Sequence, residues 1–168
     1  MFRALLVCAA LSLPAGLLAQ LKIATISSQK ALVDTAEIKK ESAALEAKFK
    51  PRQEALEKIS KEMAAIQQQL QTMQGKLTPQ AEQDMVSQGQ RKQRDAQRMQ
   101  QDLQDDVNRE REEILQRAGA RMQAVVQKLA EGKGLDLVFD QSNLIYGKPT
   151  LDLTKDATDA YDKAHPAK

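Results

Sequence analysis

Apolar residues recur at alternating steps of three and four along the middle of this chain. In the first half of that region the apolar positions are Leu56, Ile59, Met63, Ile66, Leu70, Met73 and Leu77. So narrow a stripe is typical of a coiled-coil contact, because a helix in a globular core shows a wider apolar face. A second, less regular stripe follows at Met85, Gly89, Lys92, Ala96, Met99, Leu103 and Val107. The two stripes predict a pair of long helices that pack against each other.

The helical pattern has one clear break near its middle. Gly75 suits the C-terminus of a helix, Thr78 suits an N-cap, and Pro79 suits the first helical position. The surrounding residues are rich in Ala, Gln, Glu, Lys and Arg, which favour helix. We therefore expect a helical hairpin over residues 28–131, with its tip near 75–79. At ~1.5 Å per residue its two arms reach about 70 Å, far more than a compact domain needs.

A proline lies inside the ascending arm. Pro51 lacks the N–H that would bond to the carbonyl of Ala47, and it disfavours the helical conformation at Lys50. We expect a kink near this position. Two interpretations stay open, a kink that the helix tolerates and a pivot between the arm and its base.

Short strands flank the hairpin on both sides. Residues 21–26 read as one strand, and residues 135–140 form a second that places Leu135, Leu137 and Phe139 on one face. A turn at 141–143 would then lead into a third strand over residues 144–146, completing a β-hairpin. Thr154 is predicted to cap a short final helix.

Together these segments, residues 20–27 and 132–168, form the base of a mainly α protein. Three short strands with open edges and little apolar area would be marginally stable alone. We therefore expect an oligomer, whose number the residues do not fix. The shared core would be formed by Ile23, Leu135, Leu137, Phe139 and Ile145.

The first nineteen residues are typical of an export signal. Arg3 gives a positive start, an apolar run follows from Ala4 to Leu18, and a cleavage site precedes Gln20. The run is too short to span a membrane. Because Cys8 lies inside the signal, the mature chain, residues 20–168, would contain no cysteine and would depend on packing or assembly rather than disulfides.

The composition argues against catalysis and against nucleic acid. The formal charge of +2 falls to +1 once Arg3 is removed, so no strong basic face is expected. His165, the one histidine, reads as a surface residue of the tail, and without cysteine a thiolate zinc site is excluded. Four acidic residues read as solvated or capping positions rather than calcium ligands: Asp136, Asp140, Asp152 and Asp156. We expect no enzymatic activity, no cofactor and no metal.

The order of elements resembles the Skp/OmpH family of periplasmic chaperones over essentially the whole mature chain. The similarity rests on the Ile23 strand that runs into Gln29-Lys30-Ala31-Leu32, on the strand segment ending at Asp140, and on Leu151-Asp152-Leu153-Thr154. The resemblance implies a homotrimer with a β-barrel body and three helical arms that enclose a cavity. It also implies periplasmic, ATP-independent holding of unfolded outer-membrane proteins, with no stable insertion into the membrane. A coiled-coil scaffold or adaptor of the envelope is the alternative.

Residues of the tip and descending arm are candidates for client contact. They are Lys76, Met85, Val86, Arg91, Lys92, Arg94 and Arg98. The cations would supply electrostatic attraction, although a solvated helix face explains them equally. The arms are less basic than those of the best-known family members, so the resemblance is not extended to a lipopolysaccharide site.

Overall fold

Two long antiparallel helices dominate the fold in the computed structural model, which describes residues 21–167. The predicted export signal lies outside the described residues. The elements in chain order are β1 (Ile23–Ile26), α1 (Ser28–Val33), α2 (Ala36–Thr72), α3 (Pro79–Lys133), β2 (Leu137–Asp140), short 3₁₀ turns at Gln141–Asn143 and Pro149–Leu151, and α4 (Thr154–Ala164). The chain is therefore mainly helical, with a small strand region at one end.

The tip of the hairpin lies where its residues predict it. Gly75 has a left-handed conformation, with a φ of 75°, and the Thr78 side chain accepts a hydrogen bond from the Ala81 N–H at 3.3 Å. Pro79 then occupies the first turn of α3. The 37 residues of α2 and the 55 residues of α3 correspond to lengths of about 55 and 80 Å at ~1.5 Å per residue.

The composition of the ascending arm suggested one continuous helix from its start, but the structure divides this part of the chain into two helices. The chain leaves α1 at Val33 and starts α2 at Ala36. Thr35 is fully buried between them, where its hydroxyl donates to the Leu32 carbonyl at 2.8 Å and accepts from the Ile38 N–H at 3.3 Å. The expectation of one helix from residue 28 was wrong because a buried threonine caps α2 here.

The sheet also differs from the expected hairpin. β1 and β2 pair in parallel, with Ile23 opposite Leu137 and Ile26 opposite Asp140. Residues 144–146 form no strand, and Ile145 is fully exposed. The third segment of the base is instead a bridge between Thr25 and Asp152. The parallel arrangement arises because α3 returns the chain to the start of β1, so β2 enters beside it in the same direction.

The second strand starts later than predicted. Gly134, with a φ of 61°, ends α3, and the Leu135 N–H bonds back to the Ala130 carbonyl at 2.9 Å. Leu135 is therefore part of the helix end rather than of the strand, in the manner of a glycine C-cap. Within β2, Val138 packs against the core, while Leu137 and Phe139 stay exposed.

The hydrophobic core lies in the base, where β1, α1, α4 and the ends of both long helices meet. Its buried residues are Ile26, Ala31, Ile38, Ala118, Met122, Val125, Ala157 and Tyr161. Three of the eight are alanines, so Tyr161, which is fully buried, is the largest side chain that fills this core. The core is accordingly thin, in keeping with the 3% of aromatic residues in the chain.

Carboxylates of the base bond to backbone N–H groups. Asp140 accepts from the N–H of Ser28 at 3.2 Å and from that of Ser142 at 2.8 Å. The hydroxyls of Ser28 and Ser142, together with these N–H groups, hold the pKa of its carboxyl well below the usual range. Asp152 accepts from the N–H of Thr154 at 2.8 Å. Thr154 is thus the first residue of α4 and not its N-cap, because Asp152 satisfies its N–H.

Replacing Asp140 by Asn is expected to lower the stability of the base at neutral pH. A carboxylate that has a lowered pKa in the folded state stabilises that state above its unfolded pKa, near 3.8, and loses this contribution as the pH falls further. The difference in urea midpoint between wild type and Asp140→Asn should therefore be present at pH 7 and shrink below about pH 4. Asp102→Asn, an exposed change on α3, is the control. A difference that persists unchanged at pH 2.5 would contradict the assignment.

Candidate functional site

The helices that carry the predicted seam, α2 and α3, pack against each other. Each seam residue is partly buried while its neighbours on the outer faces are exposed: Leu56, Ile59, Met63, Ile66, Leu70, Met73, Met99 and Leu103. Two packed helices can cover only one side of each other's stripe, which leaves these side chains half accessible. The arms therefore present apolar surface that the hairpin alone does not bury.

Ion pairs cross between the arms at intervals from the base to the middle. Among the described residues the five cross-arm pairs are Glu37–Arg121 at 2.7 Å, Glu41–Arg117 at 2.7 Å, Lys48–Glu110 at 2.5 Å, Arg52–Asp106 at 2.6 Å and Glu62–Lys92 at 2.5 Å. Such partly exposed pairs each contribute little stability. The charge that α2 contributes to these pairs changes sign along the helix. It is negative near the base, positive in the middle and negative again toward the tip. A shifted register would bring like charges together, so the pairs select one alignment of the arms.

Sequence reasoning missed these ion pairs. Most of the residues that form them flank the apolar stripes, as coiled-coil e and g residues do, but their partners depend on the register of the two helices. Lys92 is the clearest case, because it was assigned to the second, less regular stripe and was named a candidate for client contact. The structure places its ammonium against Glu62 and lowers the pKa of that carboxyl through the hydrogen bond.

The helix continues through Pro51, which is exposed. Close to it, Phe49 is buried between the arms, with the Lys48 and Arg52 cations 5.5 and 5.6 Å from its ring centre. Both cations also pair with acids of α3. The position of the proline is therefore bracketed by cross-arm contacts on either side.

Open apolar grooves lie along the hairpin at several distances from the base. One of about 340 Å³ lies between the arms and includes Ile38, Leu45, Phe49, Val107 and Ile114. A second of about 630 Å³ lies at the base and includes Ile26, Leu32, Met122, Val126 and Val138. The two share Val33, Arg111 and Leu115, so they adjoin. A third, of about 180 Å³, lies near the tip around Gly89.

The remaining candidates for client contact differ in their surroundings. Met85 and Val86 line the groove near the tip. The Arg98 guanidinium lies 3.8 Å from Asp95, on the same helix. Lys76, Arg91 and Arg94 are exposed. The structure therefore gathers the two apolar candidates at one place and distributes the cations over the outer faces.

The residues predicted to form a shared core remain largely uncovered in the single chain. Leu137 and Phe139 are 45% and 44% exposed on one face of β2, and Ile145 is fully exposed beside Tyr146. Ile23 and Leu135 are partly buried. Exposed apolar side chains on one face of a strand, as Leu137 and Phe139 are, are a feature typical of interaction surfaces.

Polar groups at the base form a clamp rather than a reactive centre. The Tyr161 hydroxyl donates to Glu37 at 2.7 Å, and the same carboxylate pairs with Arg121. Burial, together with the neighbouring carboxylate, raises the pKa of Tyr161 to about 12. His165, expected to be a surface residue of the tail, instead packs on Tyr161 with ring centres 5.0 Å apart. It lies beside Tyr161 because it directly follows the last residue of α4, one helical turn after Tyr161, and its N–H bonds to the Tyr161 carbonyl at 2.8 Å.

The four acidic residues considered as calcium ligands have separate partners. Asp136 accepts from the Lys22 N–H at 2.7 Å, and Asp156 lies 2.8 Å from the Lys133 ammonium. Asp140 and Asp152 bond to backbone N–H groups as described above. Within residues 21–167 no group of three possible ligands is positioned to hold a metal ion.

None of the helices described between residues 21 and 167 has the length and apolar character needed to cross a membrane. The fold is that of a long helical hairpin attached to a small parallel sheet. The hairpin leaves its apolar stripe half covered, and the sheet has an exposed apolar face. The family model described as outer membrane protein (OmpH-like) matches residues 22–161, and the chain belongs to this family.

A solved structure has the same fold. The crystal structure of an OmpH-like candidate outer membrane chaperone from Caulobacter crescentus superposes with a TM-score of 0.70 over 89% of both chains, at 17% sequence identity. At that identity the likeness concerns the fold alone. No curated protein matches the chain at a significant level.

Proposed function

We propose that this protein is an ATP-independent holdase of the periplasm, which surrounds unfolded outer-membrane proteins and prevents their aggregation. Family membership supports a chaperone role in general. The observation that carries the specific proposal is the row of open apolar grooves along helices far longer than the base requires. Half-exposed apolar residues on mixed-charge helices suit weak contacts at many points, which exchange quickly and need no chemistry for release.

The proposal includes assembly as a homotrimer through the base. An uncovered face with Leu137 and Phe139 would be buried by neighbouring copies, and the open edge of β2 would gain strand partners. Several hairpins attached to one body would then enclose a cavity. Residues 1–19 would act as a cleaved export signal, and residues 20–168 would form one functional unit. Unfolded outer-membrane proteins are the proposed partners, with no cofactor, no nucleic acid and no catalysis.

An envelope scaffold or adaptor would use the same hairpin differently. Such a protein needs arms that bind one folded partner along a defined surface. The cross-arm ion pairs and the half-buried seam serve either purpose, but grooves distributed from base to tip favour varied unfolded segments. The two functions are therefore distinguished by what the arms bind, one folded partner for a scaffold and many unfolded segments for a holdase.

The test is suppression of aggregation. Residues 20–168 are mixed with an unfolded outer-membrane β-barrel as it is diluted from urea, and light scattering is followed without ATP. A stoichiometric excess is expected to abolish most of the scattering. A folded soluble protein should not compete for binding. If scattering is unchanged at every ratio, the holdase proposal is wrong and the scaffold function gains support.

Replacing Pro51 by Ala tests the proposed pivot. The change restores an N–H toward the Ala47 carbonyl, and alanine is favoured over proline inside a helix by up to about 3 kcal/mol, so the arm should become stiffer and melt at a higher temperature. Holding of large unfolded barrels should then fall while holding of small clients persists, because only the former require the cavity to widen. The measurement is aggregation suppression across a series of client sizes. Equal activity at all sizes would leave Pro51 as a tolerated helix residue.

A further inference from the structure

Gly89 lies inside α3, three turns from its start at Pro79, where a glycine disfavours helix. Relative to alanine, glycine in the interior of a helix is less favourable, because it loses more conformational freedom on folding. Close packing of the arms does not require it here, because a Cβ at this position would lie 3.7 Å from Cγ2 of Ile66, an ordinary contact distance. The φ angle of Gly89 is not positive either. The absence of a side chain at Gly89 therefore has an effect other than letting the two helices approach closely.

That effect is a groove of about 180 Å³ between the arms, which we call the tip groove. Its apolar lining consists of Met63, Ile66, Leu70, Met85 and Val86 around Gly89. Its polar lining consists of Gln67, Gln90 and Gln93. Cavities that hold whole cofactors or drug-sized ligands measure about 300–1,000 Å³, so the tip groove is suited to one side chain with a short stretch of backbone.

The lining of the tip groove carries no charge. An uncharged lining is unusual in a chain of which 29% of residues are charged. The nearest ion pair, between Lys92 and Glu62, begins three residues after Gly89 on α3 and is not part of the lining. A charged group placed in the groove would lose hydration without gaining an opposite charge from the lining. The groove is therefore complementary to an uncharged segment.

We propose that the tip groove docks an extended, uncharged segment of an unfolded polypeptide in which apolar residues alternate. This deepens the proposed holdase function and rests on it. The two methionines adapt to side chains of different shape, and the glutamine amides both donate and accept hydrogen bonds, as an exposed peptide backbone requires. Strands of membrane barrels alternate apolar and polar residues over segments of about ten residues, and such a segment can place one apolar side chain in the groove while its uncharged neighbours stay outside. Gly89 thus marks a docking point rather than a packing site.

Peptide binding tests the charge preference. A fluorescein-labelled peptide of about ten residues with alternating Val and Thr is compared with one in which two central Val residues are replaced by Asp. Fluorescence anisotropy is measured with residues 20–168. The neutral peptide should bind roughly tenfold more tightly, a difference of about 1.4 kcal/mol. Equal affinity for the two peptides would overturn the proposal.

A matched pair of variants tests the location. Gly89→Leu fills the groove with a side chain, while Gln88→Leu adds the same side chain at an exposed neighbouring position outside the lining. The first should remove the preference for the neutral peptide, and the second should preserve it. Far-UV circular dichroism and thermal melting establish that both variants fold. Should Gly89→Leu melt early, Gly89→Ala gives a second test, with a smaller loss expected from one methyl group.

Aggregation assays distinguish failure of this inference from failure of the proposed function. If the wild type suppresses aggregation and Gly89→Leu binds the neutral peptide unchanged, the groove proposal is wrong and the holdase function stands. If the wild type suppresses no aggregation, the holdase function is wrong, and the peptide comparison still decides what the groove binds. A third outcome concerns self-association. If the wild type self-associates, and Gly89→Leu loses this while its peptide binding is unchanged, the groove binds a second copy of the chain and the proposal is overturned.

Discussion

Replacing Phe139 by Asp is expected to convert the assembled protein into monomers. Phe139 and Leu137 project from the same face of β2 and remain nearly half exposed, while Val138 between them faces the core of the single chain. If neighbouring copies cover that face, the new carboxylate is buried without a partner, which costs several kcal/mol or more. Multi-angle light scattering on residues 20–168 at micromolar concentration is the measurement. The wild type should have three times the mass of the chain, and the variant should have the mass of one.

Two controls separate this effect from general damage. Val86→Asp places the same charge on an exposed valine of the arm, and Phe49→Ala removes a buried aromatic ring from between the arms. Both should leave the mass of the assembly unchanged, although Phe49→Ala should destabilise the arm. A folded wild-type monomer would contradict the trimer itself. A Phe139→Asp variant of wild-type mass would instead place the interface elsewhere.

Replacing Tyr161 by Ala is expected to destabilise the base by about 3–5 kcal/mol, because it removes the largest side chain of a thin core. Tyr161→Phe should cost only about 1 kcal/mol, since the ring stays and Glu37 keeps its contact with Arg121. Urea unfolding at one fixed protein concentration gives both values, because assembly makes stability depend on concentration. Similar costs for the two variants would mean that the hydroxyl, and not the ring, stabilises α4.

The same residue has an alkaline signature. Burial and Glu37 raise the pKa of Tyr161 to about 12, from an ordinary value of 10.0. The folded state therefore keeps the proton after the unfolded state has lost it, and the stabilising contribution falls as the pH rises from about 10 through 12. Tyr161→Phe has no hydroxyl to ionise, so it should lack this alkaline loss of stability and serves as the control for the wild type.

Much of the arm follows from the residues alone. Strict heptad spacing between Leu56 and Leu77 predicts a helix–helix stripe wherever the chain folds, because the period of a helix is fixed. Gly75, Thr78 and Pro79 likewise predict the tip, since each suits a backbone conformation that local sterics and caps impose. Local chemistry was enough to predict these features.

The base depended on partners that local chemistry does not reveal. Residues 144–146 have the composition of a strand, yet β2 pairs with β1 from the other end of the chain, because the length of the two arms returns it there. Thr35 looks like an ordinary helix residue and becomes a cap once it is buried. The partner of an edge strand or a buried hydroxyl is fixed only when distant segments meet.

The sequence by itself determined two long helices, their apolar stripes, the turn between them and one short strand on either side of the hairpin, since each rests on periodicity or on a residue's own backbone preference. The tertiary structure decided the parallel pairing of β1 with β2, the alternating ion pairs between the arms and the clamp of Tyr161 on Glu37. It also decided that Gly89 opens a groove rather than a close contact. These features depend on the register of one helix against another, and that register exists only when both helices are in place.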